Sequence, residues 1–253
     1  MAVPREVAPG VLVATSRQMA TNSTLLVGER DVLLVDPAWM PDELDALATA
    51  VHRRGLRVTG GFATHAHHDH LLWHPGFGDA PRWASEATAR LAVAERRALV
   101  EFLGADFPRP LVELMGRVRG ADSRIPDESA PRGVEIELIV HNGHAPGHAA
   151  LWLPAQRVLI AGDMLSDVEL PLPFFPDDIP AYVDALDRLA PYAQQARVVI
   201  PGHGGVGTDA IARLNADRRY IEEMVTRGTS DDPRRHNPGM HEAHAHMADI
   251  VGT

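Results

Sequence analysis

The chain contains no cysteine. That absence excludes disulfides, thiolate metal ligands and a cysteine nucleophile together. It contains no lysine either: all 24 basic residues are arginine. Schiff-base catalysis and a lysine general base are therefore excluded; the base composition of the gene is explanation enough for the missing lysines. Positive charge is in deficit, with 34 acidic residues and a net charge of −10. Such a field repels a long polyanion, so nucleic acid is not an expected partner. No apolar run approaches the roughly 20 residues that cross a bilayer, so no membrane partner is expected. The stretch Met1 to Glu6 has no basic region followed by an apolar core. No signal peptide is read there, and a cytoplasmic location is the expectation.

What is present is 253 residues of ordinary globular composition, 45% hydrophobic, enough for one large domain spanning 1–253. The chain is organised around Thr64-His65-Ala66-His67-His68-Asp69-His70. Four of these side chains, in the pattern H-x-H-x-D-H, are good ligands for zinc and other divalent first-row metals. Further candidates stand at or near the ends of apolar runs: His148 in His144-Ala145-Pro146-Gly147-His148, Asp163 after Val158 to Gly162, and His203 in Pro201-Gly202-His203-Gly204.

The apolar runs Val11–Ala14, Thr24–Val27 and Val32–Val35 read as strands of a sheet covered on both faces. Leu44, Leu47 and Val51 recur at helical spacing over 41–54, with Pro41 in the first turn and Gly55 as the stop. Two apolar segments, Leu56 to Val58 and Gly61 to Ala63, lead into the metal motif. Residues 71–133 lie between two ligand motifs and read as an insertion, either a roof over the site or a peripheral helical packing layer, or both. In it, Ser85 caps a helix over 86–103, a second helix covers 110–118, and 119–132 is a loop. Strands follow at 134–140, 148–153, 158–161 and 198–200, with helices at 179–189 and 211–227. The tail 228–253 is polar and His-rich. Its His241 and His244 would share a helix face, but a surface helix explains them better than a further metal site.

Residues 24–36 resemble residues 150–163: two strands, a polar turn and a terminal Asp, then a helix and a strand that runs into His65 or His203. Two such halves facing one another would form a four-layer αββα sandwich of α/β (α+β) class, with metals at the edge where the strand ends meet. Asp36 occupies the repeat position of Asp163 and could hydrogen-bond a ligand histidine.

The order H-x-H-x-D-H, G-H, G-D, P-G-H resembles the metallo-β-lactamase superfamily of metallohydrolases, over most of the chain. The resemblance implies the same sandwich, with a helical insertion near residues 85–120. It implies that His65, His67 and His148 hold one metal, that Asp69, His70 and His203 hold the second, and that Asp163 bridges them. Two divalent ions, zinc first and Mn2+ or Fe2+ as alternatives, would activate a bridging water. Asp69 would orient that water as well as bind, which makes it the candidate catalytic residue. His68 and His144 would stand behind the ligands, and Trp73, Phe174 and Phe175 could line an apolar pocket.

The reading is then a hydrolase that cleaves a small ester, thioester or lactone. True β-lactamases usually lack the bridging Asp, and some need a Cys. Lactonases of the family often carry Tyr three residues after that Asp, where this chain has Ser166. A phosphodiesterase or nuclease is one alternative. Another is a persulfide dioxygenase with one iron held by His65, His148 and Asp163. The partner is a small-molecule substrate; oligomeric state is open, a homodimer included.

Overall fold

A computed structural model describes residues 3–121, 123–174 and 176–252. Two sheets face each other. The first has seven strands in sequence order: β1 (Arg5–Ala8), β2 (Val11–Thr15), β3 (Asn22–Val27), β4 (Asp31–Val35), β5 (Arg57–Phe62), β6 (Arg82–Ala84) and β7 (Arg119–Gly120). The second runs β11-β10-β9-β8, built from β8 (Glu137–Val140), β9 (Ala149–Leu153), β10 (Val158–Gly162) and β11 (Val198–Pro201). Strand residues on the two inner faces, among them Val11, Val13, Leu26, Leu33, Phe62, Leu151, Val158 and Ile200, interleave into one buried cluster.

Each outer face is covered by helices. Helix α1 (Pro41–Arg53) lays Leu44, Leu47 and Val51 on the first sheet. Burying each such side chain contributes about 1.5–3 kcal/mol. The insertion helices α2 (Glu86–Ala94), α3 (Arg96–Leu103) and α4 (Arg109–Leu114) add Ala92, Leu99 and Leu111 to the same cluster. The second sheet is covered by α5 (Ile179–Gln195), α6 (Ala210–Arg227) and α7 (Met240–Val251), through residues such as Leu186, Leu189, Leu214 and Met247. The layers are α, β, β, α, the expected architecture.

The internal repeat is structural. β3–β4 and β9–β10 are antiparallel pairs, and β4 and β10 each continue through a helix into a parallel partner, β5 and β11. Val35 pairs with Phe62, and Gly162 with Pro201. This register brings Asp36 level with Thr64, and Asp163 level with His203, at one sheet edge. Asn22 closes the edge between the sheets: its backbone N–H donates to Gly202 O at 2.7 Å, and its amide donates to Pro201 O and Gly204 O.

Several boundaries differ from the sequence reading. The helix expected over 86–103 breaks at Glu95, whose φ −101 and ψ 7 lie outside the helical well. The helix expected over 179–189 runs on to Gln195, with Pro191 accommodated within it. The loop expected over 119–132 begins with a two-residue strand. The tail contains a real helix, α7, with Met240 and Met247 buried.

Candidate metal centre

The sheet edge gathers side chains from four segments. His65 to His70 follow β5, His144 and His148 stand between β8 and β9, Asp163 follows β10, and His203 follows β11. The motif glycines have a physical reason. A Cβ on Gly162 would collide with Nε2 of His148, and one on Gly202 would collide with Oδ1 of Asp163. Among the described residues, five of the six non-glycine residues with positive φ flank this edge: Met19, Ala20, Asp36, His144 and Leu165. Such conformations cost of order 1–3 kcal/mol each and persist where surrounding structure enforces them.

Among the described residues, His65, His67, His144 and Asp163 present converging ligand atoms, and so do Asp69, His70 and His203. His65 Nε2 lies 2.9 Å from His67 Nδ1. His144 Nε2 lies 3.1 Å from that same nitrogen and 3.3 Å from Asp163 Oδ2. On the other side, His203 Nε2 lies 3.3 Å from Asp69 Oδ2 and 3.4 Å from His70 Nε2. Asp163 reaches both groups, with Oδ2 3.3 Å from His65 Nε2 and Oδ1 3.2 Å from His70 Nε2. A tetrahedral ion with bonds of about 2.0–2.1 Å to nitrogen needs donors about 3.3 Å apart, which is the spacing seen here. The chemistry and spacing of these donors fit divalent metal.

Outer contacts aim the rings. His70 Nδ1 is 2.9 Å from Asp36 Oδ2, and Asp36 also accepts from the Thr64 hydroxyl at 2.7 Å and the Thr64 N–H at 2.8 Å. That Thr64 oxygen faces His65 Nδ1 at 3.0 Å. His203 Nδ1 is 3.0 Å from the carbonyl of Met19 and 3.2 Å from the Thr21 hydroxyl. In each ring the outer nitrogen is occupied, so the inner Nε2 is the one available to a cation or a proton. The Asp36 contact is the one its repeat position suggests.

Electrostatics divide the histidines. Burial holds His65 well below its ordinary range and His67 down to about 3. Burial also pulls on His70 and His203, but carboxylates overcome it. Asp163, Asp69 and Asp36 push His70 well up, and Asp163, Glu169 and Asp69 push His203 up to about 10. Asp69 and Asp163 are held low by the facing imidazoles in spite of burial. Without a cation, protons on His70 and His203 balance the buried carboxylates.

The third ligand of the first group differs from the expectation. His148 is turned away: its Nε2 accepts the Asp163 N–H at 3.1 Å, its Nδ1 faces His141 Nε2 at 3.2 Å, and its ring stacks on His65. His144, with φ 67, swings into the position assigned to His148. Among the described residues, the converging group thus contains His144 and not His148. The expected trio His65, His148 and Asp163 is likewise not a converging group among the described residues; His144 stands beside His65 and Asp163 instead.

The profile of the Metallo-beta-lactamase superfamily matches residues 17–203. The chain belongs to that superfamily. Its members are metal-dependent hydrolases that bind divalent metals, typically zinc. A curated relative, the metallo-beta-lactamase type 2 of Bacteroides fragilis, is 36% identical over 67 residues, 26% of this chain and 27% of that protein. The chain thus matches about a quarter of that relative's length. Among solved structures, a metallo-beta-lactamase family protein from Thermus thermophilus aligns over 87% of this chain and 82% of its own, with TM-score 0.65 and 24% identity. The DIM-1 metallo-beta-lactamase aligns over 87% and 96%, with TM-score 0.62 and 18% identity. At these identities the two structures attest the fold.

Over the centre of this superfamily member lies a cavity of about 420 Å³. Its walls include Met19 before β3, Ala98, Leu99 and Phe102 of α3, and Leu172 and Phe174 of the segment after β10. The insertion is thus both a packing layer and a roof. Phe174 lines the cavity as expected, and Phe175 lies outside the described residues. Trp73 does not line it: it is buried, packed against Phe77 and filling the space beside Gly61. His68, half-buried, stacks on Phe102 at 5.3 Å and meets Trp39 edge-on. His141 is buried behind His148, and His74 caps a short 3-10 turn at Pro75–Phe77. In the tail, His244 meets the Tyr220 hydroxyl and His246 meets Asp177.

Sequence reasoning missed two residues of the site. The Thr21 hydroxyl bridges toward Asp69 and His203. Glu169 turns its carboxyl to Asp163 and His203, and burial pushes it up to about 7. Neither belongs to a spaced motif, so no local signal marks them.

Proposed function

We propose that this protein is a two-metal hydrolase that cleaves a small ester, thioester or lactone. The observation that supports it most is the shared carboxylate: Asp163 faces two separate donor groups at tetrahedral spacing. His65, His67 and His144 would hold one ion, and Asp69, His70 and His203 the other. Zinc suits this set of imidazole and carboxylate donors, and Mn2+ or Fe2+ would be accepted by it. Two such ions would supply an activated water and Lewis acidity for the attacked carbonyl.

The chain's own residues do the rest. Asp36, Thr64 and the Met19 carbonyl hold the rings in place. Asp69 would orient the water as well as bind. The apolar cavity excludes bulk solvent and seats the substrate. A nuclease reading is opposed by the net charge of −10 and by a cavity without arginine among the described residues.

The test is the metal content of protein purified without added metal, followed by a screen of esters, thioesters and lactones. About two zinc or manganese ions per chain with metal-dependent hydrolysis is the expected result. A single iron with oxygen uptake on persulfides would refute the proposal. For Asp69, an Asp69→Asn variant that kept both metals and the full rate would remove its second role.

A further inference from the structure

We propose that the non-reacting part of the substrate is an uncharged, apolar acyl or alkyl group, and that the site rejects substrates carrying a carboxylate there. This rests on the hydrolase reading and names its substrate class. Three separate segments place apolar side chains around the cavity: Met19, then Ala98, Leu99 and Phe102, then Leu172 and Phe174. Met19 and Phe102 are 48% and 72% exposed, and both sit on this rim. Large apolar side chains left in water at the mouth of a cavity mark a binding surface. The volume of about 420 Å³ suits a small ligand, for which the usual range is about 300–1,000 Å³.

Charge narrows the occupant further. Apart from the metal-binding groups, the charged residues lining the cavity are Glu95 and Glu169. Among the described residues, no arginine lines it, and the chain has no lysine. The arginines of α3 are engaged elsewhere. Arg96 donates to the carbonyls of Met115 and Val112 at the end of α4, and Arg97 pairs with Glu101 on the surface. Glu169 stands beside Asp163 and His203 at the metal end of the cavity. A substrate carboxylate among the apolar walls would lose its hydration with no arginine or lysine to pair with it. A neutral chain can lie against Met19, Leu99, Phe102, Leu172, Phe174 and the stacked His68.

The experiment uses the metal-loaded full-length protein and a series of aryl esters: acetyl, butyryl, hexanoyl, octanoyl, and a carboxylate-terminated acyl ester of the same length. The value of kcat/KM is expected to rise up to about fourfold for each methylene buried, until the cavity fills. The carboxylate-terminated ester should fall about tenfold or more below its neutral counterpart. Phe102→Ala should lower the octanoyl-to-acetyl ratio, and Ala98→Arg, which adds a cation to the exposed cavity wall, should narrow the gap between neutral and anionic esters. A second arm needs no catalysis. Displacement of a neutral fluorescent dye by octanol or by hydroxyoctanoate is measured on wild type and Phe102→Ala. Octanol should displace at the lower concentration, and Phe102→Ala should weaken it.

Rates independent of chain length, or a preference for the anionic ester or hydroxyoctanoate, would overturn the inference while leaving the hydrolase reading intact. Failure of a dimetal protein to cleave any ester would count against the hydrolase reading alone. The dye arm would then still decide whether the cavity takes uncharged apolar chains.

Discussion

Replacing His144 and His148 in turn separates two imidazoles four residues apart with different tasks. His144 Nε2 points at Asp163 Oδ2 and His67 Nδ1, at 3.3 and 3.1 Å. His148 Nε2 accepts the Asp163 N–H, and its ring lies between those of His65 and His141, centroids at 5.0 and 4.6 Å. A four-ligand zinc site is worth about 10–16 kcal/mol, so one ligand is worth about 3 kcal/mol, on the order of a hundredfold in affinity. His144→Ala should weaken one of the two sites by that factor and leave metal-free stability nearly unchanged. His148→Ala orphans the buried Asp163 N–H, which costs about 1–3 kcal/mol, with a further cost for the space left by the ring. It should lower metal-free stability while weakening metal binding by no more than about tenfold. Zinc titration against a chromophoric chelator and urea unfolding of chelator-stripped protein read the two quantities separately. Loss of one metal from the His148 variant at unchanged stability, with both metals kept by the His144 variant, would refute the assignment.

Asp36→Asn removes the acceptor that fixes the His70 ring, and zinc affinity should fall about 10–100-fold, as seen by the same titration. Against the pull of burial, the carboxylates of Asp163, Glu169 and Asp69 push the His203 imidazole up to about 10 from its ordinary 6.5. Its stabilising contribution is therefore complete below pH 6.5 and lost as pH rises toward 10, so urea midpoints of stripped protein should fall across that window. A zinc ion takes the place of that proton. Apparent zinc affinity should therefore rise with pH over the same range, and proton release on binding, measured in two buffers, checks it. Arg234, buried, pairs with Asp217 at 2.6 Å and donates to the carbonyls of Ser166 and Glu169. Arg234→Met leaves Asp217 without its partner and should cost about 3–5 kcal/mol by urea unfolding.

Much was determined by the sequence itself. Alternating and continuous apolar runs located most strands, because a two-sheet core demands them. The repeat of 24–36 in 150–163 carried the two halves, since each Asp must end a strand paired in parallel with one that ends in His. The cluster from His65 to His70 needed no tertiary help, because one tight turn after β5 gathers its donors. Other features were decided only by folding. His-Ala-Pro-Gly-His gives no sign which imidazole turns inward. That choice is made by the left-handed backbone at His144 and Gly147, and by the Asp163 N–H that occupies His148. Trp73 looked like a pocket residue but is drawn under the sheet by the space beside Gly61. Thr21, Glu169 and the apolar rim come from segments far apart in the chain, and they meet only because two sheets close on one edge. Local pattern records which face a residue turns to its own element's neighbours. Which distant chain lies opposite is set by the packing of the layers, and there the cavity acquired its apolar walls and its two glutamates.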